Sequence, residues 1–195
     1  MLRNADSDMQ REAARLNMMT VSGCVSPEEA GITDAHNHLW IAPVSGATPG
    51  APMLVDQAAI QAELSAYRRA GGGTVIDCQP PGCGRDGRKL LALSEASGTK
   101  IVACTGFHLQ KYYPPEAWMF RASQERAGQF FVREIQEGLW ETRDDSRLVQ
   151  AGFIKIACEN TLKSSPRRLI EAAAQASLAT NTAILIHTER GEAAE

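Results

Sequence analysis

Three histidines and one lysine stand where side-chain chemistry has a physical reason to gather. His36 and His38 flank a single residue at the end of a short apolar run. In a strand, side chains two apart share a face, with Cα atoms roughly 6.6 Å apart. Both imidazoles can then converge on one metal ion. His187 ends the run Ile184-Leu185-Ile186-His187. If its isoleucines face outward, Leu185 and His187 face inward. Lys155 sits inside Gly152-Phe-Ile-Lys-Ile-Ala157, where alternation sends Ile154 and Ile156 outward and the amine inward. An inward ammonium is costly unless paired or neutralised. A neutral amine is a nucleophile, and addition of carbon dioxide makes it a carbamate, an anionic group with two oxygens able to bridge two metals. Each signal alone has an ordinary reading: a hydrogen-bonded His pair, a snorkelling strand-end Lys, a structural His. Their shared position at strand C-terminal ends, the rim where barrel active sites are built, points to chemistry.

These positions need a scaffold. Strand-like runs fall at Gly31–His38, Gly73–Gln79, Lys100–Phe107, Gly152–Cys158 and Ala183–Thr188. Helical patterns lie between them. Ile60, Leu64 and Tyr67 recur at helical spacing, and Gly71-Gly72-Gly73 stops that helix. Arg88–Ala96 forms a second. Phe131, Ile135 and Leu139 make the stripe of a third. Ser165 as N-cap and Pro166 in the first turn open a fourth, with Leu169, Ala173 and Leu178 on one face and Asn181 as a left-handed stop. Strand and helix alternating five times predict an α/β protein with a parallel sheet. The architectures to weigh are a doubly wound sheet and a (β/α)8 barrel. No GxGxxG follows the first strand, so the usual dinucleotide cradle is missing. Pro81-Gly-Cys-Gly-Arg-Asp86 reads as a tight loop at a strand end.

Composition narrows the class. The chain has 195 residues, 44% apolar and 22% charged, with a net charge of −3. That suits an ordinary globular domain and gives no electrostatic footprint for nucleic acid or an anionic membrane surface. No apolar run approaches the roughly 18 residues a membrane helix needs, and the polar start is unlike a secretory signal. Five scattered cysteines, without CxxC spacing, suggest neither a disulfide framework nor a zinc ribbon. Cys78, Cys104 and Cys158 read as small buried hydrophobes in a reducing cytoplasm. Cys83, in the Gly-rich loop, is the thiol to watch for reactivity. Residues 1–22 read as a polar extension before a domain at 23–195.

The ordered segments Gly31-Ile-Thr-Asp-Ala-His-Asn-His-Leu39, Gly72-Gly-Thr-Val-Ile-Asp77, Gly84-Arg-Asp86, Ala103-Cys-Thr-Gly106, Phe130-Phe-Val-Arg-Glu-Ile-Gln136, Ala151-Gly-Phe-Ile-Lys-Ile-Ala157, Ala174–Thr180 and His187-Thr188 resemble the phosphotriesterase family of the amidohydrolase superfamily. The resemblance runs from about Gly23 to Glu189. It implies a (β/α)8 TIM barrel with two divalent metal ions, most often Zn2+, with Mn, Co or Fe as alternatives. By position, His36 and His38 would bind the more buried ion, carboxylated Lys155 would bridge both, and His187 would bind the more exposed one. A hydroxide between the ions would attack a phosphotriester, a lactone or a carboxylic ester.

Two departures from the family matter. Asn37 replaces the usual Glu between the histidines, and its side chain should point away from the metals. A further metal-binding His and a catalytic Asp fall after the sixth and eighth family strands, beyond Glu195. No catalytic side chain is therefore assigned with certainty. The expectation is a partial barrel, the first five βα units of a longer enzyme, with Gly191–Glu195 opening another helix. The other readings are a TatD-like nuclease, with HxH but no lysine bridge, and a non-catalytic metal-binding or partner-binding remnant. The partner expected is a small-molecule ester, with no nucleic acid and no membrane, and the resemblance is compatible with a homodimer. Phe107 and His108 are the candidate substrate contacts, with Lys111, Tyr112 and Tyr113 near the mouth. Arg85-Asp86 reads as a loop-fixing pair, and Trp118 and Trp140 as packing.

Overall fold

In the computed structural model, residues 17–159, 163 and 165–188 are described. The expected extension and the start of a helix after Gly191 lie largely or wholly outside them. A short antiparallel hairpin, β1 (Met18–Thr20) and β2 (Gly23–Val25), comes first. Then follow α1 (Pro27–Ala30), β3 (Ile32–Asn37), α2 (Gln57–Arg69), β4 (Gly72–Asp77), α3 (Gly87–Ser97), β5 (Lys100–Val102), β6 (Cys104–Gly106), α4 (Gln124–Gln136), β7 (Phe153–Cys158), α5 (Arg167–Thr180) and β8 (Ile184–Thr188). Among the described residues no helix is long and apolar enough to cross a membrane.

The strand expected over Lys100–Phe107 divides at Ala103, because its ladder partner changes there. Lys100–Val102 pairs with β4, and Cys104–Gly106 pairs with β7. The Ala103 carbonyl serves neither ladder residue and accepts the Gly152 N–H at 2.8 Å. With this break, the order is β3, β4, β5/β6, β7, β8, every neighbour parallel. A helix follows each of the first four staves. This is a partial (β/α)8 barrel, with its strands' C-terminal ends on one rim.

Alternation decides what each face buries. Ile154 and Ile156 of β7 pack with Phe131 of α4 and Leu169, Ala172 and Ala173 of α5. Full burial of a side chain such as Phe131 or Leu169 contributes about 1.5–3 kcal/mol. The opposite strand faces put Cys78, Cys104, Phe153 and Leu185 inside the barrel.

Several local expectations shift. Leu139 lies past the end of α4, where Gly138 at φ +124° turns the chain and the Leu139 N–H bonds the Val149 carbonyl at 2.6 Å. Ser165 does not cap α5. Its hydroxyl donates to the Ala157 carbonyl at 2.5 Å, and Pro166 occupies the cap with no side-chain bond. Leu178 is 87% exposed, and Ala176 takes the buried position. Asn181 ends α5 at φ +54°, as expected of a left-handed stop. Trp118 and Trp140 are not core packing. They are 39% and 57% exposed, with the Arg126 and Arg143 guanidinium groups over their rings at 5.2 and 3.9 Å.

Candidate active site at the barrel rim

Lys155 is fully buried in the middle of β7. Its neighbour strand reaches it through Gly106, at φ +104°, where a Cβ would collide with the Lys155 carbonyl. That carbonyl instead accepts the Phe107 N–H at 2.8 Å. The Lys155 Nζ lies 3.1 Å from His36 Nε2, its hydrogen-bond partner among the described residues. Burial lowers the pKa of the amine, favouring its neutral form.

Around it the structure brings the histidines together. The His36 ring centroid is 5.8 Å from that of His38 and 6.2 Å from that of His187. His108 adds a fourth ring, 5.2 Å from His187. His36 and His38 come from β3 and its C-terminal end, and His187 from β8. Burial first, and then the Lys155 and His187 charges, lower the pKa of His36. Burial is also the largest influence on His38, pushed down to about 4, and on His108, pushed down to about 3. These shifts favour the uncharged rings, the state that ligates metals.

Asn37 sends its side chain elsewhere. Its Nδ2 donates to Asp34 at 2.7 Å and its Oδ1 accepts the His38 N–H at 2.7 Å. Among the described residues no three His, Cys, Asp and Glu side chains form a ready-made metal group. The donor chemistry nevertheless fits one. Neutral imidazoles such as those of His36 and His38, with ring centroids 5.8 Å apart, are ordinary ligands of divalent ions. The fourth group is an amine whose carboxylation would supply the missing oxygens.

Beside the cluster opens a cavity of about 510 Å³. His38, Gln79, His108 and His187 line its floor, and Ile41, Val44, Met53 and Tyr112 contribute to its walls. The wall loop is pinned at its base by the Ile41–Leu54 bridge, and across its span by Thr48, whose N–H donates to the Lys111 carbonyl at 2.9 Å. His108 faces this space. Phe107 does not line it: it is fully buried in the core, 6.4 Å from the Phe120 ring. Tyr113 is also buried, its hydroxyl accepting the His108 N–H at 2.9 Å.

The loop after β4 is fixed by groups that sequence reasoning missed. Arg85 does not pair with Asp86, whose carboxylate caps α3 by accepting from Arg88 N and Lys89 N. Arg85 donates from Nη1 to the Cys104 carbonyl (2.6 Å) and Glu134 Oε2 (2.9 Å), from Nη2 to Glu134 Oε1 (2.5 Å) and Glu141 Oε2 (2.7 Å), and from Nε to Glu141 Oε1 (2.8 Å). All five guanidinium N–H groups are thus used. Burial opposes this cation, but Glu134 and Glu141 outweigh it and raise its pKa well above the ordinary value. The available signal was Glu134 itself, a carboxylate three residues after Phe131 on the apolar face of α4. Cys83 is buried, and burial pushes its thiol up to about 12, which disfavours the reactive thiolate.

A parallel α/β barrel with ionisable side chains gathered at the strands' C-terminal ends has the architecture of the barrel enzymes. Within that class the assignment is specific. The chain belongs to the phosphotriesterase family, whose sequence profile matches residues 16–195. It is 32% identical over 186 residues to a phospho-furanose lactonase of Mycoplasmopsis agalactiae, covering 88% of this chain and 52% of the relative. It is 27% identical over 208 residues to an N-acetyltaurine hydrolase of Tetraodon nigroviridis, covering 91% and 58%. The crystal structure of an amidohydrolase from Mycoplasma synoviae superposes with a TM-score of 0.77 at 28% identity, covering 92% of this chain and 54% of that one. The chain spans about half the length of the curated relatives it matches.

Proposed function

We propose that the protein is a metal-dependent hydrolase of ester bonds, acting on a lactone, a phosphotriester or a carboxylic ester. His36, His38, carboxylated Lys155 and His187 would hold two divalent ions, zinc foremost. Such ions supply Lewis acidity and lower the pKa of water. The chain's own side chains bind and orient the substrate. His108 accepts the Leu109 N–H on Nδ1 at 2.7 Å, which leaves Nε2 carrying the proton of its neutral ring. It therefore faces the cavity as a hydrogen-bond donor for a substrate oxygen. The apolar wall at Ile41, Val44 and Met53 receives an uncharged group and excludes water.

The observation that carries this reading is the buried Lys155 amine, 3.1 Å from His36 Nε2. A barrel does not bury an amine beside neutral imidazoles for stability alone, since desolvation makes the position costly. The lactonase relative supports a lactone. The N-acetyltaurine hydrolase relative favours a second reading, an acyl amide, and an amide in the same assay panel separates the two. The five free cysteines support a reducing, cytoplasmic setting. Elemental analysis of the natural gene product after zinc supplementation should find bound metal, and a chelator should abolish lactone hydrolysis. Metal-free protein, or hydrolysis indifferent to the chelator, overturns the proposal.

A further inference from the structure

Gln79 follows β4 and is 5% exposed. One end of its amide meets a group whose hydrogen-bonding character is fixed, and the other meets a ring nitrogen of His38 that could donate or accept. Nε2 donates to the Cys83 backbone carbonyl and approaches Cys83 Sγ at 3.3 Å. A carbonyl oxygen can only accept, so the amide NH2 must face it. The Gln79 Oε1 is then the atom 2.7 Å from His38 Nδ1. This oxygen can also only accept, so Nδ1 bears the proton and the lone pair of the neutral ring is left on Nε2.

The Cys83 carbonyl is itself held in place. Cys83 Sγ contacts the Pro80 carbonyl at 3.2 Å, and the Gly84 carbonyl accepts the Ala42 N–H at 2.8 Å. Gly84 makes that approach at φ +103°, where a Cβ would press on the Ala42 carbonyl. Next in the chain, Arg85 ties the loop to α4 through Glu134. The orientation of one amide is thus set by a loop braced internally at Pro80 and anchored to Ala42 and, through Glu134, to α4.

We propose that Gln79 is a positioning residue that holds His38 as its Nδ1–H tautomer and thereby presents the Nε2 lone pair to a divalent cation, a role that rests on the metal-site reading above. A partner on one ring nitrogen selects the tautomer and orientation of a ligating imidazole. Without Gln79 the proton can move to Nε2, and in that form the ring has no lone pair to offer there.

The test uses metal-free full-length protein labelled with 15N-histidine, at a pH where His38 is neutral, with the His38 signals assigned from their loss in His38→Asn. Long-range 1H–15N correlation should show Nδ1–H for His38 in the wild type. Gln79→Met, similar in length but unable to accept, should shift the ring toward Nε2–H. In chelator competition, zinc should bind Gln79→Met about 10–100-fold more weakly. An Nε2–H wild-type ring overturns the proposal, and that measurement stands even if the variant does not fold. An unchanged tautomer or an unchanged zinc affinity in Gln79→Met also overturns it. Wild-type protein that takes up no zinc sinks the metal-site reading, and the tautomer then decides by itself whether Gln79 positions His38.

Discussion

The Lys155 amine and the His36 imidazole, 119 positions apart in the chain, meet at 3.1 Å between Nζ and Nε2. The contact joins the first and fourth of the five strand staves, β3 at the edge and β7 in the interior. It places a buried nitrogen base, beside the apolar cluster of Cys78, Val102, Cys104 and Phe153, against a strand-end histidine. Four consequences of this arrangement and its supports are open to measurement.

Lys155→Met keeps the side-chain length and removes the amine. Replacing a buried polar group by an apolar one of similar volume is often neutral or stabilising. Unfolding stability should stay within about 1 kcal/mol of the wild type or rise, while bound divalent metal is lost. Urea unfolding and elemental analysis on the same preparation check both halves.

Arg85→Met should behave in the opposite way. It leaves Glu134, 1% exposed, without its cation. Breaking a buried ion pair from one side costs about 3–5 kcal/mol. Arg85→Lys should recover little of this, since one ammonium cannot reproduce a five-donor fork. Denaturant midpoints of the two variants decide the matter.

Asp77 gives stability a pH dependence of known sign. Burial pushes its pKa from the ordinary 3.8 to about 7, with Leu39 and Gln79 N–H groups and Arg85 opposing the shift. One carboxylate oxygen, Oδ2, has no hydrogen-bond partner among the described residues. A folded-state pKa above the unfolded one means the folded chain holds a proton that the unfolded chain has released. Its stabilising contribution is complete below about pH 4 and is lost as pH rises toward 7. Asp77→Asn stays neutral and keeps the Oδ1 that accepts the Leu39 N–H at 2.7 Å. Its stability relative to wild type should therefore climb between pH 4 and 7, by about 1.4 kcal/mol per pH unit at most. Paired unfolding curves across that range show the slope or its absence.

His108→Phe removes the cavity's imidazole donor and preserves a ring. Loss of one hydrogen bond to substrate, about 1–1.5 kcal/mol, lowers kcat/KM roughly 10-fold. Metal content should not change. Lactone hydrolysis with metal analysis alongside separates a substrate contact from damage to the metal site.

The parallel array was legible in the order of apolar runs and helical stripes, because strand and helix periodicities are local properties. The inward direction of Lys155 and Leu185 followed from simple alternation. Local patterns misled where a distant group competed. Ser165 gave its hydroxyl to Ala157 instead of capping α5, and Asp86 served the α3 cap while Arg85 went to Glu134 and Glu141. Phe107 and His108 are neighbours in sequence, and only the fold decided which one met the cavity.

The residues at each strand end, and the faces they take, were therefore written into the sequence itself, because alternation acts over a few residues. Tertiary structure alone decided which groups hold those side chains still: Gln79 on His38, and Glu134 and Glu141 on Arg85. Hydrogen-bond partners are chosen by atoms that the fold brings within about 3 Å, and no sequence spacing encodes that distance.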